Sequence, residues 1–245
     1  MPLIAPPGYA AVAPFDKEKH TGLGFATTGS AGFAASLNAI YIACAEFLQA
    51  SRHYPVVFSF SEAQQRYSPM IVTSFTSGSN LFVSDAGEWD RETYIPAYVR
   101  RYPFCVAELG SDEASKPLVC VDESALSETM EPFFNADGEA GEAWERMQAF
   151  MQEYETARQQ TERFAATLAE QGLFEVFEAQ AFGETGKRYH ITDMYRINEK
   201  KLQGLSETRL HEFIEKKYMY YIYAHLLSLD NFQRLLDRKA GHHGD

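Results

Sequence analysis

Apolar positions recur along this chain with two different periods. Between Ala34 and Ser51, the residues Leu37, Ile40, Tyr41, Cys44, Phe47 and Leu48 fall three and four apart, the spacing of one helix face. Pro55 disfavours helical geometry just before it, so this predicted helix ends near Arg52. "YPVVFSF", "MIVTSFT", "NLFVSD", "FCVAEL" and "PLVCVD" then follow as short apolar runs bounded by Gly, Asn, Ser, Asp or Pro. Such a series predicts strands of an antiparallel sheet. "RHYPVVF" and "RYPFCV" share a basic residue and Tyr-Pro ahead of a strand, a position where proline's missing N–H costs nothing.

The chain turns polar and acidic between 110 and 138, and a long helix is predicted from about Glu139 to Gln171. Its stripe is Trp144, Met147, Phe150, Met151, Tyr154, Ala157, Phe164 and Leu168, with Gln171-Gly172 as the stop. Such a helix spans roughly 45–50 Å, long enough to be kinked, split or used in a dimer contact. "LFEVFEAQAF" and "RYHITDMYRI" flank "GETGK" as a hairpin, with Tyr189, Ile191, Tyr195 and Ile197 on one face and Asp193 among them. Helices close the chain. Ser206 is the predicted N-cap of one, and Asp230 with Gln233 the predicted capping box of the last. The reading is one α+β domain over 1–245: a largely antiparallel sheet covered by helices, with one long helix and C-terminal helices. Residues 1–33 form an irregular segment of loop or short strands, and 240–245 a frayed tail.

Composition narrows the function classes. The 245 residues are 45% hydrophobic and 14% aromatic, enough for a large core built of rings. A net charge of −12 argues against a nucleic-acid surface and against docking on anionic lipid. The longest mostly apolar segment, Ala39–Leu48, is too short to span a bilayer, and the proline-broken start lacks the basic region of a signal peptide. A cytoplasmic protein without membrane insertion is expected. Cys44, Cys105 and Cys120 are widely spaced in apolar runs and read as small buried hydrophobes, with no zinc or disulfide pattern.

Catalytic spacings are absent: there is no nucleophile elbow, phosphate loop or His-Glu-x-x-His. The "GLG" at 22–24 lacks the third glycine of a dinucleotide fingerprint. His190 and Asp193 fall on opposite faces of a strand, which leaves a surface histidine and a buried-face aspartate paired with a tyrosine. Neither a metal nor a cofactor is expected. His225 sits on an apolar helix face as a hydrogen-bonded core residue. Tyr218, Tyr220, Tyr221 and Tyr223 surround the same helix; burial against the sheet is favoured over an aromatic partner site.

The densest motif is "YIPAYVRRYPF", Tyr94 to Phe104. If extended, it places Tyr94, Pro96, Tyr98, Arg100, Tyr102 and Phe104 on one side, with Arg100 among tyrosine rings. Ile95, Ala97, Val99 and Arg101 fall on the other, a face that is apolar until Arg101 and packs inward. Structurally Arg100 is then an internal ion pair. Functionally it is an anchor for an anionic or peptide-carboxylate ligand, flanked by Trp89.

The block "SNLFVSDAGEWDRETYIPAYVRRYPF" resembles the signature of the SapC-like family, a bacterial family named for a gene in a surface-layer protein locus. "EFLQASRHYPVVF" and "YRINEKKLQGL…YMYYIYAHLLSLDNFQRLL" also fit its pattern, whereas "HTGLGFATTGSAGF" departs from it. The resemblance implies association with surface-layer and secretion loci, beside halogenase-like and cupin-type oxygenase-like proteins and outer-membrane receptors. It carries no catalytic residue set. What transfers is the motif, and Asn80, Trp89, Tyr94, Tyr98, Arg100, Arg101 and Tyr102 are its candidate ligand-binding positions. The leading reading is an accessory or binding protein of a surface-layer, secretion or peptide-modification system that engages a protein or peptide partner. The alternative is an enzyme acting on peptides or small metabolites beside oxygenase- or halogenase-like partners. A third reading makes the cluster core and puts function on a homodimer surface of the long helix.

Overall fold

A computed structural model describes residues 5–25, 31–108, 117–135, 137–182 and 188–241. In chain order the elements are β1 (Val12–Pro14), β2 (Gly24–Phe25), β3 (Ala39–Tyr41), α1 (Phe47–Ala50), β4 (Val56–Ser61), β5 (Arg66–Val72), α2 (Ala97–Arg100), β6 (Phe104–Glu108), β7 (Pro117–Asp122), β8 (Leu126–Ser127) and α3 (Glu142–Glu170). The β9 (Phe174–Phe182) and β10 (Arg188–Ile197) hairpin arms follow, then α4 (Glu199–Gln203), α5 (Glu207–Glu215), α6 (Tyr218–Ser228) and α7 (Asn231–Gly241). The fold is α+β. Among the described residues every strand pairing is antiparallel: a five-stranded sheet in the order β3-β5-β4-β10-β9, a three-stranded sheet β1-β7-β6 and the pair β2-β8.

The predicted helix over 34–51 is not one. Residues 39–41 pair with 70–72 as edge strand β3, and only Phe47–Ala50 forms an α-helical turn. Ile40 is buried between half-buried Ala39 and Tyr41, and Ile42, Ala43 and Cys44 are buried in succession, so the three-and-four spacing does not mark one helix face here. "NLFVSD" is likewise not a strand. The Asn80 side chain accepts the Phe82 N–H at 3.0 Å, the local bond that turns the chain, and only a lone bridge joins Val83 to Trp89. The short strands expected in the first 33 residues are β1 and β2.

The long helix α3 is continuous because it serves two cores. Phe164 and Leu168, toward its end, pack in the larger core with Phe47, Phe58, Leu173 and Ile222. Trp144 and Met151, toward its start, pack in a smaller aromatic core with Phe25, Phe104, Phe133 and Phe134. Its apolar stripe is thus covered within the chain. Gly172 ends it at φ +62°, a left-handed conformation in which glycine carries no Cβ penalty.

The β9–β10 arms form the predicted hairpin, although "GETGK" lies outside the described residues. A bulge between Ile191 and Met194, with Asp193 at φ +59°, breaks the predicted alternation. Met194 and Ile197 are buried, and Asp193 is exposed, accepting its neighbour Thr192's hydroxyl instead of pairing with a tyrosine. Ser206 caps α5 as predicted, accepting the Arg209 N–H. The Gln233 side chain donates forward to Asp237, and the capping box predicted with Asp230 is not formed. Residues 240 and 241 end α7 and are helical.

Candidate functional site

The Tyr94–Phe104 block is not extended. Pro96 supplies the N-cap and Ala97–Arg100 make one helical turn, α2, before the chain enters β6. The turn is held from below by buried Glu46. Its Oε1 accepts the Ala97 N–H at 2.7 Å and the Tyr94 hydroxyl at 2.9 Å, while Oε2 accepts the Ala43 N–H at 2.8 Å. A helical turn rotates successive side chains by about 100°, which puts Arg101 rather than Arg100 among the tyrosine rings.

Arg100 is exposed, donating to the Ile95 carbonyl (3.1 Å) and the Tyr94 hydroxyl (3.3 Å), with its guanidinium 4.9 Å from the Phe150 ring. Arg101 is the arginine among tyrosines. It is only 7% exposed, and its guanidinium lies 4.6 Å from the Tyr98 ring, 4.7 Å from Tyr154 and 5.8 Å from Tyr9. The ionisable groups that act on it most strongly are the Tyr154, Tyr9 and Tyr98 phenols and the Cys105 thiol. Among the described residues its Nε has no hydrogen-bond partner. A buried donor left unpaired costs roughly 1–3 kcal/mol.

The other motif residues are distributed around this turn. Asn80 is buried and donates to the Ala34 carbonyl at 3.0 Å, tying the 80–82 turn to the segment before β3. Trp89 is buried, with Nε1 donating to the Tyr54 hydroxyl and to Thr93 Oγ1, both at 3.1 Å. Tyr98 donates to the Pro7 carbonyl at 2.7 Å. Tyr102 stacks on Phe33 at 4.0 Å and lies within 3.4 Å of Asp122 Oδ2. Of the seven, Trp89 lines one cavity and Arg100 and Tyr102 another, while Tyr98 and Arg101 share a third.

That cavity, about 200 Å³, lies between β3, β5, the end of α2 and the middle of α3. Besides Tyr98 and Arg101, its polar lining includes Tyr41, Arg66, Tyr154, Arg158, Thr161 and Glu162. Arg66 and Arg158 both bond Glu162, and Arg158 also bonds Glu155, so their charges are compensated. Tyr41 Oη is buried without a hydrogen-bond partner; the adjacent Thr161 hydroxyl donates to the Ala157 carbonyl and accepts the Cys44 N–H. Burial pushes the Tyr154 phenol up to about 12, against the lowering effect of Arg101, and pushes Tyr41 higher still; both remain protonated donors. Arg158 and Thr161 carry no signal in the sequence, and Tyr41 stands out only as one apolar position of the helix predicted over 34–51. Tyr154 was visible only as one member of the long helix's apolar stripe.

A second feature lies on α5 and α6. Ile214, Tyr220, Tyr223 and Leu227 are 63%, 52%, 43% and 71% exposed, and they are four of the six large apolar side chains exposed among the described residues. Four tyrosines within six residues of one helix cannot all face inward. Ile222, Ala224, His225 and Ser228 take the buried face of α6, Tyr218 and Tyr221 lie half-buried, and Tyr220 and Tyr223 are left outside. With Ala45, Leu48 and Met219 they line a groove of about 890 Å³ whose only charged lining side chain is Lys217.

Cys44, Cys105 and Cys120 are buried free thiols. His190 is exposed and bonded to Glu178 at 3.0 Å. Among the described residues no three His, Cys, Asp or Glu side chains could share a metal ion, and no helix is long and apolar enough to cross a membrane. No curated protein and no solved structure matches the chain. The family model SapC matches residues 15–235, a span that includes the whole Tyr94–Phe104 block. The chain belongs to the SapC family.

Proposed function

We propose that this SapC-family chain is an accessory, binding protein of a bacterial surface-layer, secretion or peptide-modification system, and that it engages a protein partner through the α5–α6 groove. The observation that carries the reading is the contiguity of Ile214, Tyr220, Tyr223 and Leu227. Scattered exposed apolar residues need no explanation, whereas a contiguous set beside a groove marks an interaction surface. Tyr220, Tyr223 and Leu227 follow one another at three and four residues, a stripe that suits an apolar peptide or helix laid along α6. Lys217 favours a partner segment that places a carboxylate beside its apolar residues. A second copy is the poorer occupant, because association would bring together two chains of net charge −12. In this reading the Tyr94–Phe104 block organises the centre of the fold, and Tyr98 and Arg101 serve the separate cavity described above.

The experiment is co-expression of the chain with each protein encoded beside its gene, followed by size-exclusion chromatography. A stoichiometric complex with one neighbour, lost in Leu227→Asp while circular dichroism is unchanged, is the expected result. No complex with any neighbour, or a complex indifferent to Leu227→Asp, contradicts the proposal. A homodimer dispersed by Leu227→Asp reassigns the surface to a second copy.

A further inference from the structure

We infer that the cavity between α3 and β5 is a binding site for a small organic carboxylate, received by the Arg101 guanidinium and the Tyr41 hydroxyl. The site is separate from the α5–α6 groove and stands on different observations. Tyr41 Oη and Arg101 Nε are the two buried side-chain polar atoms without a hydrogen-bond partner among the described residues, and both belong to the lining of this one cavity. They come from segments 60 residues apart in sequence, β3 and the end of α2. Native interiors satisfy nearly all buried polar atoms. Two exceptions meeting at one void are the mark of a group that completes them when bound.

The kind of group follows from charge and shape. Arg66 and Arg158 are already bonded to Glu162, whereas no carboxylate is among the groups that act most strongly on Arg101. One uncompensated guanidinium matches one negative charge, and its planar fork matches a planar carboxylate. The Tyr41 hydroxyl, kept protonated by burial, adds a further donor. Tyr67, Tyr98 and Tyr154 give the cavity aromatic walls. A void of roughly 150 Å³ accommodates benzene, so about 200 Å³ admits a carboxylate carried on one ring or a short chain. The same carboxylate chemistry is offered by a free aromatic acid or by the C-terminus of a peptide.

The test is calorimetric and thermal titration of the full chain at low salt with benzoate, with N-acetylphenylalanine as a mimic of a peptide terminus, and with inorganic phosphate. Saturable binding of benzoate, with a raised melting temperature, is expected. Arg101→Met should weaken it at least about tenfold and Tyr41→Phe about threefold, as loss of a charged fork and of one hydroxyl donor respectively. Arg100→Met should leave it unchanged. Should Arg101→Met fail to fold, Tyr41→Phe still reports on the site. Binding of N-acetylphenylalanine alone supports the carboxylate site and assigns its source to a peptide terminus. Three results overturn the inference: no saturable binding of either acid by about 10 mM, equal binding by parent, Arg101→Met and Tyr41→Phe, or phosphate binding as tightly as benzoate.

Discussion

The His225 imidazole stands in for a rung of the sheet between Val56 and Ile197. The register that pairs Tyr195 with Phe58 would place Ile197 opposite Val56, two residues further along each strand. Instead the ring lies between them. Nδ1–H donates to the Val56 carbonyl at 2.8 Å, and Nε2 accepts the Ile197 N–H at 3.1 Å. Both partners have fixed roles, so the imidazole is neutral and in a single tautomer. The histidine predicted as a hydrogen-bonded core residue is therefore a structural link between β4, β10 and α6.

A pH dependence follows from that link. Burial, opposed by the bond to Val56 and aided by Arg196, lowers the His225 pKa to about 4. An unfolded histidine titrates near 6.5, so between about 6.5 and 4 the unfolded chain binds a proton that the folded chain refuses. The stability contribution is whole above pH 6.5 and is lost as pH falls to about 4, by roughly 3 kcal/mol. Denaturant unfolding of the parent and of His225→Ala at pH 7 and pH 4 checks this. The variant is expected to be less stable by roughly 3–5 kcal/mol at pH 7, through two unpaired backbone groups and a cavity. The gap should narrow by roughly 3 kcal/mol at pH 4. A gap that is constant with pH would show that this histidine does not titrate as described.

The two adjacent arginines should respond differently from the usual expectation for surface and core. Arg100→Ala removes an exposed guanidinium and is expected to cost less than about 1 kcal/mol. Arg101→Met removes a buried cation that has no described carboxylate partner, and loses ring contacts of comparable worth. Urea unfolding should place it within about 1 kcal/mol of the parent. A loss above roughly 3 kcal/mol would mean that the guanidinium holds a charge partner.

Asp122 fastens the N-terminal strand. The Ala10 N–H reaches Oδ2 at 2.8 Å; the Ala11 N–H at 3.0 Å and the Ser124 hydroxyl at 2.6 Å reach Oδ1. Burial raises its pKa, but the Ser124, Ala10 and Ala11 bonds outweigh it and hold the carboxyl below its ordinary value. This contribution is present above the unfolded value and is lost as pH falls through the folded one. Asp122→Asn turns one acceptor into a donor facing N–H groups. It is expected to cost roughly 2 kcal/mol and to open residues 10–14 to limited proteolysis. Unchanged protease resistance would refute the fastening role.

Gly24, in the "GLG" of the sequence, is required by a close backbone approach. It opens β2, beside Ser127 and Pro132, and a Cβ there would sit 2.0 Å from the Glu131 carbonyl oxygen. Gly24→Ala is therefore expected to cost roughly 2–4 kcal/mol, measured by thermal or denaturant unfolding. Gly22→Ala meets nothing within 4 Å and suffers only the strain of its φ of +79°, about 1 kcal/mol. Equal losses for the two would remove the steric explanation.

Local pattern along the chain determined a good deal of this protein by itself. The stripe from Trp144 to Leu168 and the glycine after it define α3. The alternating runs define β4, β6, β7 and the β9–β10 hairpin, and Ser206 marks the start of α5. These elements bury one face or end on a strong cap, and such signals survive in the linear order of residues. The Tyr94–Phe104 block likewise pointed to the family from sequence alone. Only the tertiary structure decided the rest. Residues 39–41 became a strand because β5 offered an unpaired edge, a distant partner that the three-and-four spacing of the apolar residues around them does not reveal. Arg101 rather than Arg100 entered the tyrosine rings because Glu46, some fifty residues earlier, holds the Ala97 N–H and fixes one helical turn. The cavity exists because β3, β5, α2 and α3 converge on it. Contacts between distant segments leave no trace in the spacing of either one, so a site assembled from four of them is written in the fold and not in any stretch of the chain.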